Sequence, residues 1–250
     1  MNSVYDFFQY GLPEGPADEY AQRAIKILLE IQTEFPEFYN SFKAPSEVLT
    51  LSGVRAFDTY YDLGEEATQK QIAGIKALLK KHDILLLEAD FLPANDVYAD
   101  HLYSLVHTEA LKDLPNRYSY LPGWVPFHAE AMKQDFDFMV WWHLYWQKGI
   151  AKEARDNERL QKWLERDWWA PHNISFGMLL GYPGEAIVSC LEEDENTEVV
   201  NARIAHADMP GTAQPIYSYM PKLVENPNIV AHELLWSGIL AKVYESTENV

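Results

Sequence analysis

The chain has 250 residues, of which 38 are acidic and 20 are basic, so its formal net charge is −18. Nucleic-acid binding draws much of its affinity from lysine and arginine side chains that neutralise phosphates. Anionic membrane surfaces attract the same side chains. No cluster of basic residues stands out along this sequence. We therefore expect the protein to bind neither nucleic acid nor a membrane, and we interpret its acidic surface as a solvated one.

Cysteine content and hydropathy narrow the class of protein further. A single cysteine, Cys190, excludes an internal disulfide and every metal site built from several cysteines. The first residues lack the basic and apolar segments of a signal peptide. The longest apolar stretch, residues 136–146, is too short to span a bilayer. These features predict a cytoplasmic protein, and the ordinary apolar fraction of 48% predicts a single globular domain over residues 1–250.

The N-terminal third shows helical patterns followed by one strand. Apolar residues recur at helical spacing over residues 17–33 and over residues 65–81, and lysines in the last turn of the second segment complement the helix dipole. The pattern over residues 46–61 is a weaker helical one. A short continuous apolar run at residues 83–88 then indicates a buried strand.

The middle of the chain is predicted to be helical on both sides of an aromatic loop. Asn95 or Asp96 is suited to cap a helix that runs to about residue 111. Residues 116–126, which are rich in tyrosine, indicate a loop. A long central helix is expected after this loop, and residues 151–167 predict an amphipathic helix after that.

Residues 127–150 are predicted to form the central helix. Its middle is apolar nearly all round, which is typical of a buried helix. We expect Trp141 and Trp142 to be buried there. Asp137 and His143 must then find hydrogen-bonding partners, because an unpaired buried charge is very costly. We assign these two residues a structural role in the core.

The C-terminal third predicts two short helices, a β-hairpin and a final helix. Gly181 suits the left-handed position just past the first short helix, and the second runs from Pro183 to about residue 191. The hairpin strands are expected at residues 198–206 and 216–220, and the last helix at residues 228–245. The sequence thus predicts an α+β fold that is predominantly helical, with a small sheet that includes a C-terminal antiparallel β-hairpin.

Three polar residues of this region form the predicted site. Period-two alternation places His206 and Asp208 on the same strand face as the apolar residues that precede them, near the hairpin tip. His172 lies just before the first short helix. If the hairpin packs on the helix pair, these three side chains converge in a cleft. Two histidines and a carboxylate suit a transition metal or general acid–base catalysis, and the sequence does not separate the two. The simpler interpretation is that His206 and Asp208 stabilise the end of the hairpin.

Two other polar groups are assigned structural roles. His232 and Glu233 begin the helical motif of zinc proteases, but the second ligand position is occupied by Trp236, which cannot bind a metal. We expect this His–Glu pair to be surface or packing residues. Glu88 and Asp90 follow the buried strand, and we interpret them as the point where that strand meets solvent.

These observations leave two hypotheses about function. The first is a small-molecule-binding protein or an enzyme, with a polar cleft built from His172, His206 and Asp208. The second is a non-catalytic interaction or regulatory protein, which would bind a protein partner or a second copy of itself through its acidic face or through the aromatic segment that contains Tyr118 and Trp124. Burial of the aromatic segment favours the first hypothesis, and an exposed apolar patch there favours the second.

Overall fold

The architecture comes from a computed structural model and confirms the predicted fold class. The fold is α+β and predominantly helical, with small antiparallel sheets. No helix within the described ranges is long and apolar enough to cross a membrane. The structure describes residues 8–10, 12–63, 67–88, 102–120, 177–190, 198–204 and 217–247.

The elements alternate between helices and short strands. The helices are α1 (Ala17–Glu34), α2 (Tyr39–Phe42), α3 (Pro45–Ser52), α4 (Gln69–Lys80), α5 (Thr108–Arg117), α6 (Gly184–Cys190) and α7 (Pro227–Thr247). The strands are β1 (Phe8–Tyr10), β2 (Phe57–Asp62), β3 (Ile84–Glu88), β4 (Leu102–His107), β5 (Tyr118–Tyr120), β6 (Val200–Asn201) and β7 (Ser218–Tyr219).

A three-stranded antiparallel sheet in the order β2–β4–β3 carries buried polar groups. Asp58 is paired with Leu105, and Leu105 with Leu86, so these three side chains share one face of the sheet. His107 lies two residues after Leu105 and therefore belongs to the same face. Leu86 and Leu105 are part of the main core, beside α1, α3 and α4. The sheet thus directs one carboxylate and one imidazole toward the interior.

The core is formed where α1 packs along α7 and against α3. All three helices bury an apolar stripe, and Trp236 of α7 is among the fully buried side chains. Two smaller sheets, β1–β5 and β6–β7, complete the described fold. The helices are therefore held by burial of apolar surface, the main driving force of folding.

The prediction of one helix over residues 46–61 is wrong. Helix α3 ends at Ser52, Gly53 follows with a φ of 81°, and β2 begins at Phe57. Glycine adopts this left-handed conformation at little cost and commonly ends helices. The segment after it is rich in aromatic and β-branched residues, which favour strands. Gly53 therefore separates α3 from β2, which the apolar pattern alone predicts as one helix.

The prediction of a helix that ends near residue 111 is also wrong. Residues 102–107 form β4, and helix α5 begins only at Thr108. Both faces of β4 are buried, since Ser104, Leu105 and Val106 are all inaccessible to solvent. A strand buried on both faces lacks the alternation that identifies a half-exposed strand. Asn95 and Asp96 lie outside the described residues.

The prediction of an aromatic loop at residues 116–126 is also wrong at the start of that segment. Tyr118–Tyr120 form β5, which pairs antiparallel with β1. The pairing partner lies near the N-terminus, and such a distant partner has no local sequence pattern. The rest of the loop and the central helix at residues 127–150, including Trp141 and Trp142, lie outside the described residues.

Several predicted elements are confirmed. Helices α1, α4 and α7 and strand β3 lie where the apolar patterns place them. Gly181 has a φ of 73°, as the prediction of a left-handed position requires. Strands β6 and β7 pair antiparallel with Val200 opposite Tyr219, which confirms the predicted pairing of the C-terminal hairpin. Each strand has two residues, so residues 202–204, predicted as strand, lie outside β6.

Candidate functional site

The three predicted site residues, His172, His206 and Asp208, lie outside the described residues, so their convergence stays a prediction. The strand that leads toward two of them is described. Ile204 is buried in the main core, whereas Arg203 is exposed on the opposite side. The inward face assigned from the alternation is therefore confirmed as far as residue 204.

A second group of polar side chains lies where α3, β2 and α7 meet. We call Glu47, Arg55, Asp58 and Trp236 the Arg55 cluster. The Nη2 atom of Arg55 lies 3.4 Å from Oδ1 of Asp58, and both side chains are buried. The guanidinium carbon of Arg55 lies 5.9 Å from the centre of the Trp236 ring. An ion pair and an aromatic side chain are thus brought together in the interior.

The backbone around Arg55 fixes its side chain in this place. Its amide donates a hydrogen bond to the carbonyl of Leu49, and the next amide, that of Ala56, donates to the carbonyl of Leu179. The turn at Gly181 packs directly on this segment, since a β-carbon there would lie 3.2 Å from the carbonyl oxygen of Val54. Two turns that are distant in sequence therefore hold the backbone of Arg55 in place.

Two hydrogen-bond donors of the Arg55 cluster are not used. Nε of Arg55 and Nε1 of Trp236 are buried and have no acceptor among the described residues. Leaving a buried donor unsatisfied costs about 1–3 kcal/mol, which is why native structures contain few such groups. A donor of this kind recovers the free energy when it meets an acceptor atom of a bound molecule.

Glu47 supplies a group that can transfer a proton near neutral pH. Burial raises the pKa of this carboxyl to about 7, and the nearby charge of Asp58 acts in the same direction. The hydroxyl of Ser46 donates to Oε2 at 2.7 Å, which opposes the rise without cancelling it. A carboxyl group with this pKa holds a proton part of the time at neutral pH, as a general acid or base requires.

His232 supports the cluster from the side of α7. Its ring centre lies 4.1 Å from that of Trp236. Nε2 lies 2.8 Å from the carbonyl oxygen of Gly181, and Nδ1 lies 3.0 Å from the hydroxyl of Tyr217. Because a carbonyl only accepts, Nε2 carries the ring proton and Nδ1 accepts from the tyrosine. Burial lowers the pKa of His232 to about 3, so the ring is neutral and acts as a structural link.

Glu233 anchors the hairpin to the same helix. Its carboxylate accepts from the hydroxyl of Tyr219 at 2.6 Å and from the amide and Nε of Arg203 at 2.8 and 3.0 Å. Three donors satisfy the buried charge. His232 and Glu233 are therefore packing residues and not surface residues. The described part of the chain holds no group of three side chains that could bind a metal ion.

The start of the aromatic segment belongs to the interior. Tyr118 is 1% exposed, and its hydroxyl donates to the carbonyl of Tyr182 at 2.7 Å. In the described ranges, the exposed large apolar side chains are Leu29, Val199 and Leu234, which belong to separate segments.

The members of the Arg55 cluster are not identified by sequence reasoning. Arg55 and Asp58 fall inside the wrongly predicted helix, and Trp236 is noted only as a side chain that cannot bind a metal. The one available indication is Gly53, because a helix that ends there places the next residues in a strand entering the core. Glu47 lies close enough to Tyr244 of α7 to act on its charge, and this proximity to a helix distant in sequence has no local indication.

Comparison with known proteins adds no functional information, since no family model, curated protein or solved structure matches the chain. The function must therefore be inferred from the geometry of the described residues.

Proposed function

We propose that the protein binds a small neutral molecule through a carbonyl oxygen at the Arg55 cluster and that Glu47 exchanges a proton with this molecule. The observation that carries the proposal is the pair of buried donors on Arg55 and Trp236 that have no acceptor among the described residues. This is the predicted class of function, a small-molecule-binding protein or enzyme, assigned to a different set of residues.

The charges of the cluster favour a neutral ligand. Arg55 already lies beside Asp58 and near Glu47, so one cation faces two carboxyl groups. An anionic ligand would add a third negative group in a region of low dielectric, where repulsion is strong. A carbonyl oxygen supplies the missing acceptor without a formal charge.

The same groups suit acid–base chemistry on a carbonyl compound. In its ionised form Glu47 would take a proton from the carbon next to the carbonyl, and the electron pair of that C–H bond would move toward the carbonyl oxygen. Donors placed at that oxygen stabilise the negative charge that develops on it. The protonated carboxyl group would then return the proton to the resulting enolate, and this transfer gives the product. No oxidant or reductant is needed for this exchange.

The interaction-protein hypothesis receives less support. One of its two proposed surfaces is the aromatic segment, and Tyr118, at the start of that segment, is buried and hydrogen-bonded. We retain the cytoplasm as the proposed location, because the single cysteine gives no sign of an oxidising compartment.

Saturation-transfer NMR with acetone and with acetamide as probes tests the proposed function. Each probe offers one carbonyl oxygen, and at least one of them should show saturable binding to the wild-type protein. Trp236→Phe removes the indole donor and Arg55→Lys removes Nε, so each variant should weaken binding roughly fivefold, the effect of about one hydrogen bond. Binding should also change with pH around neutrality, and Glu47→Gln should remove this dependence.

Ser104→Ala provides the matched control. Its hydroxyl is also buried with no partner among the described residues, but Ser104 lies on the opposite face of the sheet from Asp58. Binding should be unchanged in this variant. The proposal is wrong if neither probe saturates, or if Ser104→Ala weakens binding as much as the two cluster variants, provided that circular dichroism shows all variants folded.

A further inference from the structure

Tyr217 joins the C-terminal hairpin to helix α7. It precedes β7, and its carbonyl accepts a hydrogen bond from the amide of Ala202, which follows β6, at 2.9 Å. Its side chain and that of Tyr219 are two residues apart and lie on the same face of the hairpin, with ring centres 6.1 Å apart. The hydroxyl of Tyr219 donates to Glu233 at 2.6 Å. That of Tyr217 donates to Nδ1 of the preceding residue of α7, His232, at 3.0 Å.

The ring of His232 connects Tyr217 to the turn at Gly181. Its second nitrogen, Nε2, donates to the carbonyl of Gly181 at 2.8 Å. Because the ring is neutral, each nitrogen makes one type of hydrogen bond, and the two bonds together fix the orientation of the ring. The turn in its place packs on Arg55, since a β-carbon on Gly181 would lie 3.4 Å from Cγ and 3.5 Å from Cα of that residue. A continuous series of contacts therefore runs from the hairpin to Arg55.

The same residues surround the indole ring of Trp236. The ring centre of His232 lies 4.1 Å from that of Trp236. The ring of Tyr217 meets the indole edge-on, with the centres 6.0 Å apart and 89° between the planes. The ring of Tyr182, next to Gly181 in the chain, lies 6.4 Å away. Because Trp236 is fully buried among these rings, its Nε1–H group changes direction only if they move.

We propose that Tyr217 is a positioning residue for the Arg55 cluster, because its hydrogen bond to His232 holds both the indole of Trp236 and the Gly181 turn in place. Without the hydroxyl, Nδ1 loses a buried hydrogen bond, and the ring can move toward another donor. Hydrogen bonds weaken steeply as their angle departs from linear, so a small displacement of a donor weakens its bond to a ligand. This inference rests on the proposed function, since it concerns the donors that the ligand is expected to meet.

Tyr217→Phe tests the inference, because it removes the hydroxyl and keeps the ring. The chain has 8 tryptophans, and in a ¹⁵N-labelled sample Trp236→Phe identifies the indole N–H signal of Trp236 by its loss. This signal should move in Tyr217→Phe, since the rings around the indole shift when His232 loses its hydrogen bond. The variant should also bind acetone or acetamide roughly threefold more weakly than the wild type, a smaller effect than the loss of a donor itself.

Tyr219→Phe is the matched control. It also removes one buried, hydrogen-bonded hydroxyl from the same face of the hairpin, but this hydroxyl donates to Glu233. Both variants should lose stability to a similar extent in urea denaturation. In Tyr219→Phe the Trp236 signal and the affinity for the probes should remain those of the wild type. The inference is overturned if the signal stays in place in Tyr217→Phe, or if the two variants change the signal or the affinity equally.

The wild-type protein supplies a second measurement, which decides the matter if Tyr217→Phe does not fold. At neutral pH the ¹⁵N signals of the His232 ring should show a proton on Nε2 and an unprotonated Nδ1 that accepts a hydrogen bond. A proton on Nδ1, or an Nδ1 without a hydrogen bond, overturns the inference. The proposed function fails separately, if neither probe binds the wild type, and the signals of Trp236 and His232 then still decide whether Tyr217 positions the cluster.

Discussion

Burial shifts the pKa values of acids and bases of this protein in opposite directions, and in both cases it favours the neutral form. It raises the pKa of Glu47 to about 7 and lowers those of His107 and His232 to about 4 and about 3. The cause is the same in each case, since removal from water disfavours the charged form. At neutral pH both histidines are therefore uncharged rings, while Glu47 is partly protonated.

The shifted pKa of Glu47 predicts a pH-dependent stability that a single substitution removes. The folded protein holds this proton more tightly than the unfolded chain, so stability is lost as pH rises from 4.5 to about 7. Glu47→Gln should abolish this loss and should be more stable than the wild type above neutral pH by about 1–3 kcal/mol. Urea denaturation across this pH range measures the difference.

The wild-type protein must be compared with Glu47→Gln, because the two histidines change the stability with pH in the opposite direction to Glu47. Their folded-state pKa values are lowered, so their contribution to stability is lost as pH falls below about 6.5. Subtracting the wild-type curve from that of Glu47→Gln cancels these contributions. Glu225→Gln, which changes an exposed carboxylate, is the control and should leave the curve unchanged. A Glu47→Gln curve parallel to the wild-type curve would contradict the prediction.

Turns connect the elements that form the Arg55 cluster. The Gly53 turn directs the chain from α3 into β2, and the Gly181 turn packs on Val54 and accepts a hydrogen bond from His232. Neither turn is part of a helix or strand, yet both position Arg55. The two glycines are therefore as important to the cluster as the polar residues themselves.

Gly181→Ala should destabilise the protein by about 1–2 kcal/mol. The residue has a φ of 73°, and a β-carbon would lie 3.2 Å from the carbonyl oxygen of Val54. Gly238→Ala is the control for a tight contact without a left-handed φ: its β-carbon would lie 3.3 Å from that of Ala17, but the residue lies inside α7, where alanine has the higher helix propensity. The loss should be clearly smaller at Gly238, and equal losses in urea denaturation would show that the left-handed turn is not the cause.

Sequence patterns identify the helices that bury one face and expose the other. The apolar stripes of α1, α4 and α7 repeat at helical spacing and identify these helices correctly. Strand β4 is buried on both faces and so has no such pattern, and the boundary between α3 and β2 depends on Gly53 alone. The Arg55 cluster could not be predicted, because Arg55 and Trp236 meet only when the chain after α3 packs against α7. Local sequence does not encode that contact.

At the scale of the whole molecule, the sign of the electrostatic field depends on distance. The chain carries a net charge of −18, whereas the turn after α3 is bordered by Arg23 and Arg117. At physiological ionic strength exposed charges are screened beyond about 8 Å. A long polyanion must approach the acidic surface as a whole.

Nucleic acid should therefore not bind. Specific and non-specific complexes both gain affinity from counterions released when several basic side chains contact phosphates. Arg117 is buried and already donates to two carbonyls, so of these two arginines only Arg23 is exposed. One accessible cation cannot offset the repulsion from the acidic surface. Fluorescence anisotropy of labelled duplex DNA and single-stranded RNA at low salt should show no saturable change at micromolar protein concentrations. Saturable binding that weakens steeply as salt is added would instead require a basic surface outside the described residues.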